Sequence, residues 1–410
     1  MLDYDISGKA GMTVTVTGKG TPPPINPLVE NVSRTVVAKL ESVMWDFEDA
    51  KTNDLIHNIH PYPAKFIPQI PRELIRLFHP GRGQVVFDPF CGSGTTLVES
   101  VAAGIPAVGV DLNPLAVLIS KVKTNLPGKM ISPVARQIVG AAHQENVPIP
   151  DIPRLDHWFL PDVQQVLSCL VRQINLIEEI DVRDALKITL SRIIVRVSNQ
   201  DSDTRYAAVK KDINKNQVYD LFVKSAEAID RAIAKETGNL FRSNSTCRVL
   251  HRDILDVSPE DIGCNVGLVV TSPPYPNAYE YWLYHKYRMY WLGMDPIAVR
   301  SAEIGARPHY FKKNHQTEDD FERQMGQTFR LLSRIMLKGA VACFLVGRSI
   351  IHGRHVDNCA LLERAAALHG FRQTASVSRK ILATRKAFNP AHGKINEESI
   401  VLFVLEGIPL

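Results

Sequence analysis

From residue 67 onward, short apolar runs bounded by glycine and proline alternate with segments whose apolar positions recur every three to four residues. RELIRLF at 72–78 has helical spacing, and the GRG after it turns the chain into VVFDPF at 85–90, a β-branched run that predicts a buried strand. After CGSG, TTLVESVAAG predicts a helix ending at Gly104, and AVGVDL at 107–112 predicts a second buried strand. Pro114, directly after Asn113, opens the helix PLAVLISKVKT at 114–124, because proline suits a first helical turn. Strand, glycine turn, helix, strand, helix predicts a doubly wound, mostly parallel α/β sheet.

The pattern then changes. Residues 126–245 hold the Pro-containing linker text PIPDIPRLDHWFLP (148–161) and three amphipathic helical stretches, DVQQVLSCLVRQINLIEEI, ALKITLSRIIVRVS and VYDLFVKSAEAIDRAIAKE, without a buried-strand signal. This predicts a helical insertion. The α/β alternation resumes with strands at 247–253 and 267–275, helices at 278–293 and 319–337, a strand at 341–347, a helix at 358–370 and a closing strand pair near 376–383 and 398–406. The Gly-, Thr- and Pro-rich start predicts a flexible arm over 1–30, which leaves 31–125 and 246–410 as the main domain and 126–245 as the insertion, a target-reading or supporting region.

Composition narrows the class. The chain has 410 residues, 45% hydrophobic and 22% charged, enough apolar side chains for a sizeable core and too many for a disordered chain. The longest apolar run, VACFLVG at 341–347, is far short of the roughly 18 residues that span a bilayer, so no membrane partner is expected. Six cysteines are scattered without a CxxC pair, which excludes a disulfide scaffold and a zinc ribbon and fits a reducing cytoplasm. Charge is uneven: residues 300–394 carry +10 and the remainder −5. A basic segment of that kind suits a polyanion such as nucleic acid, or is a solvated surface.

Three strand ends carry candidate chemistry. In DPFCGSGTT (88–96), glycines at 92 and 94 would let backbone approach a ligand where a Cβ would collide. The turn has no Walker lysine and is not a full GxGxxG, so neither a nucleoside triphosphate nor a simple dinucleotide is favoured. Asp111 ends the next strand, where a carboxylate can hold ribose hydroxyls, and Asp253 ends a third, placed to accept from an adenine amino group. Together they suggest an adenosine-containing ligand. TSPPY (271–275) follows a buried strand: two prolines stiffen the backbone, Ser272 and the Pro273 carbonyl offer acceptors, and Tyr275 offers a flat face. No His/Cys/Asp cluster has metal-ligand spacing.

DPFCGSGTT with TSPPY resembles the DNA amino-methyltransferase family, and Ser-Pro-Pro-Tyr resembles its cytosine-N4-specific members. The adenine-N6 branch more usually has Asp or Asn where Ser272 stands, and HPYPAKF (60–66) resembles the family's additional cofactor motif. The resemblance implies a Rossmann-like S-adenosylmethionine-dependent methyltransferase fold that needs no metal. It implies that Asp88, Pro89, Phe90, Cys91, Gly92, Gly94 and Thr95 lie against the methionine part of the cofactor, with Lys65 near its carboxylate. Asp111 would hold the ribose and Asp253 the adenine, while Ser272, Pro273, Pro274 and Tyr275 would grip a base flipped out of double-stranded DNA. No Pro-Cys dipeptide is present, so direct attack by an amino nitrogen is implied instead of a covalent enzyme intermediate.

Adenine-N6 methylation and a non-catalytic DNA-binding relative are the alternatives, and RNA is a further substrate to test. A cognate restriction endonuclease and the nucleoid of a prokaryotic or phage-infected cytoplasm are the implied setting. Two regions compete to read DNA. One is the insertion, through Arg192, Arg196 and Arg205 with Asn199 and Gln200; the other is the basic stretch 300–354, through Arg307, Lys312 and Lys313.

Overall fold

The computed structural model describes residues 14–15, 27–48, 56–63, 67–203, 205–240, 245–276, 280–311, 315–381 and 397–407. Its strands, in chain order, are β1 (Val14–Thr15), β2 (Val85–Asp88), β3 (Ala107–Asp111), β4 (Gln200–Ser202), β5 (Arg205–Ala208), β6 (Cys247–His251) and β7 (Val266–Thr271). They continue as β8 (Met336–Gly347), β9 (Ser349–Ile351), β10 (Arg354–Val356), β11 (Phe371–Lys380) and β12 (Glu397–Leu405). One sheet takes eight of them in the order β1-β11-β12-β8-β7-β2-β3-β6. The block from β6 to β8 is parallel, and β12 runs antiparallel to both β8 and β11. The mostly parallel sheet and the closing strand pair therefore match the expectation from the hydrophobic pattern.

Period-two alternation splits the sheet into two apolar faces. Val341, Cys343 and Leu345 pack on one side with Val86, Leu268 and the helix Gln69–Leu77. Ala342, Phe344 and Val346 pack on the other with Phe87, Val269 and the helix Glu318–Ile335. Every residue of β2 is buried, as a central strand covered on both faces requires. Helix Pro114–Thr124 begins where its sequence says it should: Asn113 Oδ1 accepts from Leu115 N at 3.0 Å and proline occupies the first turn.

The insertion is helical, with Ser132–Ala142, Pro161–Asn175, Ile180–Val197 and Lys215–Leu240 as its longer elements. It also holds the β4–β5 hairpin, whose strands are polar and half-exposed and gave no apolar signal. These helices share one core with Pro114–Thr124 and Tyr281–Trp291 of the main domain, and Trp282, Tyr287 and Trp291 are buried in it. At the start of the chain, Val14 pairs with Val377 of β11, and the helix Pro27–Glu41 crosses the expected arm boundary at residue 30. The basic stretch holds short helices, Pro296–Ala302 and Arg307–Tyr310, and the β9–β10 hairpin.

What this topology positions is a crevice. The chain winds outward from β2 through β3 to β6, then returns to β7 and β8 on the other side of β2. Strand order reverses between β2 and β7, and in doubly wound sheets ligands bind outside the carboxyl ends of strands at such a point.

Candidate functional site

A cavity of about 830 Å³, counted to its open mouth, lies at that crevice. The end of β2 contributes Pro89, Phe90, Cys91, Gly92, Ser93 and Thr95; β3 contributes Asp111, Leu112 and Asn113; β6 contributes Arg252, Asp253 and Ile254. From the end of β7 come Ser272 and Pro274. Tyr62, Tyr281, Val299, Glu303 and Ile304 close the remaining wall. Gly92 and the Ser-Pro-Pro segment, 180 residues apart in sequence, thus face one chamber.

The glycine turn is held from every side. Gly92 N donates to Asp111 Oδ2 at 2.8 Å, and Ser120 Oγ donates to the Gly92 carbonyl at 2.8 Å. The fully buried Lys123 donates to the Ser93 carbonyl at 2.8 Å. Gly92 (φ +49) lies against Tyr62, whose ring carbon would be 3.4 Å from an added Cβ. Gly94 (φ +79) is glycine for another reason than ligand approach: an added Cβ would stand 2.7 Å from Ser120 Oγ, inside the helix packing behind the turn. Asp88 is also behind the chamber. Its Oδ1 accepts from Phe90 N at 3.1 Å and from Thr271 Oγ1 at 2.7 Å, which locks the end of β2 to the end of β7.

The chamber is acidic and aromatic. Asp111 Oδ1 also accepts from Asn113 N at 2.8 Å, yet burial prevails over both backbone bonds and pushes the carboxyl up to about 6. Burial raises Asp253 as well, against a bond from Leu255 N at 3.0 Å. Glu303, 7% exposed, is pushed up to about 8 by burial, against the backbone bonds it receives, with Asp111 and Glu280 adding to the rise. Tyr62 stacks on Tyr281 with centroids 5.6 Å apart and on His285 at 5.1 Å. Among the described residues, Ser93 Oγ, Asn113 Nδ2 and Glu303 Oε2, all on lining residues, are buried without a hydrogen-bond partner. Buried polar atoms of this kind are costly unless a ligand or water satisfies them.

Of the residues expected from sequence, Pro89, Phe90, Cys91, Gly92, Thr95, Asp111, Asp253, Ser272 and Pro274 line the cavity. Pro273 is buried beside it, and Tyr275 is half-buried against the sheet's core instead of lining the chamber. Lys65, Lys312 and Lys313 lie outside the described residues, as do Tyr279 and most of the basic segment 385–399. Arg196, Arg205 and Arg307 are exposed. Arg192 is turned inward and donates to the Ile59 carbonyl at 2.8 Å. Asn199 likewise bonds the His157 carbonyl and Lys211 N, and Gln200 bonds the Ser202 carbonyl. Sequence reasoning missed Tyr62, Tyr281, Asn113, Arg252 and Glu303. Tyr62 had a signal, since it sits inside HPYPAKF; Glu303, in a stretch read only for its basic charge, had none.

A chamber at the switch point of such a sheet, with carboxylates at the ends of β3 and β6 and a glycine turn at the end of β2, defines a Rossmann-like ligand-binding domain. Residues 30–122 match a family described as DNA methylase, of the N6/N4 type. The Type II methyltransferase M.MvaI of Kocuria varians is 31% identical over 255 residues, covering 56% of this chain and 55% of that protein. M.MjaII of Methanocaldococcus jannaschii, also a Type II methyltransferase, is 46% identical over 68 residues, 17% of this chain and 13% of that one. The chain is thus similar, over residues 30–122, to the N6/N4 DNA methylase family. It spans about half the length of M.MvaI and a smaller part of M.MjaII. Among solved structures, the rRNA methyltransferase aviRa from Streptomyces viridochromogenes aligns over 88% of this chain and 95% of that one, at 13% identity and a TM-score of 0.37.

The cofactor of this family is S-adenosylmethionine, and the residues present fit it. Asp111 and Asp253 offer acceptors at two adjacent strand ends, and an unpartnered buried carboxylate oxygen suits a cationic ligand. Among the described residues, no group of three or more His, Cys, Asp or Glu could hold a metal ion, and no helix is long and apolar enough to cross a membrane.

Proposed function

We propose that the protein methylates the exocyclic N4 amino group of a cytosine rotated out of duplex DNA. The observation that carries this reading is the common chamber. Gly92 and Asp111, which suit the methyl donor, line the same cavity as Ser272 and Pro274, which suit the acceptor base. Bound S-adenosylmethionine supplies an electrophilic methyl group on a sulfonium. The chain supplies position: Asp111 holds ribose hydroxyls and the glycine turn lies against the methionine part. Ser272 Oγ and the Pro273 carbonyl accept hydrogen bonds from the base's amino protons, which draws its nitrogen from planar toward tetrahedral and localises the lone pair. Tyr275, which the sequence motif suits to stacking on a base, packs against the sheet's core beside the chamber. Catalysis is then orientation plus electrostatics, with no enzyme nucleophile. Burial raises the Cys91 thiol and keeps it protonated, which agrees with that assignment.

Ser272, where the adenine branch more usually has an acid or amide, supports cytosine over adenine. The exposed Arg196, Arg205 and Arg307 are the described candidates for phosphate contact. The Type II names of the relatives support a role as the modification partner of a restriction endonuclease. The test is to incubate the protein with duplex DNA and methyl-labelled S-adenosylmethionine, digest the DNA to nucleosides and identify the product. N4-methylcytosine is expected. N6-methyladenine would transfer the reading to the adenine branch, methylation of RNA alone would displace DNA as substrate, and no methylation would favour a non-catalytic relative.

A further inference from the structure

Glu303 follows the helix Pro296–Ala302 and lines the chamber together with Ile304. Its Oε1 accepts from Tyr281 N at 3.0 Å, and its Oε2 is buried with no partner among the described residues. It acts electrostatically on two landmarks of the site. Asp111 is its first charged neighbour, and Tyr62, which feels both Asp111 and Glu303, lies against Gly92. Glu303 therefore shares one chamber with the ribose-end carboxylate and with the tyrosine that lies against the glycine turn. A donor with its ribose on Asp111 and its methionine on Gly92 carries its sulfur between those residues, inside the same chamber.

We propose that Glu303 is the residue by which the chamber distinguishes the sulfonium-bearing methyl donor from its demethylated product. The inference rests on the cofactor reading above and deepens it. Donor and product share adenosine, ammonium and carboxylate, and differ in one methyl group and one positive charge at sulfur. A desolvated carboxylate is strongly attracted to that charge, because little solvent screens the pair. When the methyl leaves, the C–S bonding electrons remain on sulfur, a C–N bond forms from the amine's lone pair, and the amine's extra proton passes to solvent. The attraction to Glu303 ends with the charge, so the product is held less tightly than the donor. In the empty site burial keeps the Glu303 carboxyl largely protonated at pH 7, with Asp111, Glu280, Tyr62 and Tyr281 facing it. Arrival of a cation expels that proton.

Glu303→Gln keeps the side chain's size and the acceptor for Tyr281 N. Calorimetry on the full chain should find S-adenosylmethionine bound about tenfold more weakly by the variant, and S-adenosylhomocysteine bound as before. Equal loss for both ligands overturns the proposal, since it assigns Glu303 to a group they share or to the wall's structure; so does no loss for either. Wild-type protein gives an independent reading that needs no variant. Across buffers of different ionisation enthalpy at pH 7, it should release up to about one proton more on binding the donor than on binding the product. Equal release overturns the proposal. Wild-type protein that binds neither ligand sinks the methyltransferase reading itself, a result distinct from either of these.

Discussion

At the scale of single residues, Asp111 does two jobs with one carboxylate. It fixes the glycine turn through Gly92 N and its own strand end through Asn113 N, and it faces the chamber. Because burial pushes its carboxyl up to about 6, it is ionised at neutral pH and becomes protonated within an accessible range. Ribose hydroxyls donate to the ionised form, so binding favours the deprotonated state. Affinity for S-adenosylhomocysteine, which shares the ribose but not the sulfonium charge that Glu303 attracts, should be full above about pH 6 and fall as pH drops through that value, which a fluorescence titration at several pH values can follow. Asp111→Asn should bind about tenfold more weakly at pH 7 and lose that acidic falloff. A wild-type affinity constant from pH 7 to 5 would deny Asp111 the ribose role.

At the scale of elements, the site depends on how the segment after β7 meets the loop after the helix Pro296–Ala302. Gly305 (φ +74) lies so close to the turn that an added Cβ would be 2.5 Å from the Tyr275 carbonyl oxygen. Alanine there meets both a backbone clash and a left-handed conformation, so the Ser-Pro-Pro-Tyr turn must shift. Gly305→Ala should lower turnover at least about tenfold and cost about 1–3 kcal/mol of stability while unfolding stays cooperative. Single-turnover methylation and urea unfolding test the two parts, and unchanged turnover would show that the turn's position is not critical. The same logic explains the rest of this wall. The helix Tyr281–Trp291 was legible as helical, but the stacking of Tyr62 on Tyr281 and His285 joins segments more than 200 residues apart.

For the whole molecule, the insertion is part of the architecture that holds the chamber. His60 Nε2 and Ser191 Oγ are 2.8 Å apart, and Arg192 donates to the Ile59 carbonyl, so helix Ile180–Val197 braces the segment that carries Tyr62. Arg288, fully buried, donates to the Ser191 carbonyl at 3.1 Å and pairs with Asp203 of the insertion. Removing one partner of such a pair leaves an uncompensated charge, although Asp203 is half-exposed and solvent reduces the cost. Arg288→Met should lose about 2–3 kcal/mol, read as a lower urea midpoint. Because the insertion and the helices Pro114–Thr124 and Tyr281–Trp291 share one core, both parts should unfold in a single transition. Two separated transitions would show an independent insertion.

The sequence by itself determined the strands, most of the helices and the candidate chemistry at the strand ends. Burial on both faces demands continuous β-branched runs, and a glycine turn or an Asn-Pro helix start works through neighbours in the chain. DPFCGSGTT, Asp111, Asp253 and TSPPY were legible for that reason. The tertiary structure decided what depends on side chains meeting across long separations. It set Tyr62 against Gly92, gave Gly94 its reason in Ser120, turned Arg192, Asn199 and Gln200 inward, and brought Glu303 from a stretch marked only by basic charge into an acidic chamber. A carboxylate's role follows from its burial and its neighbours, and neither is written in the residues beside it.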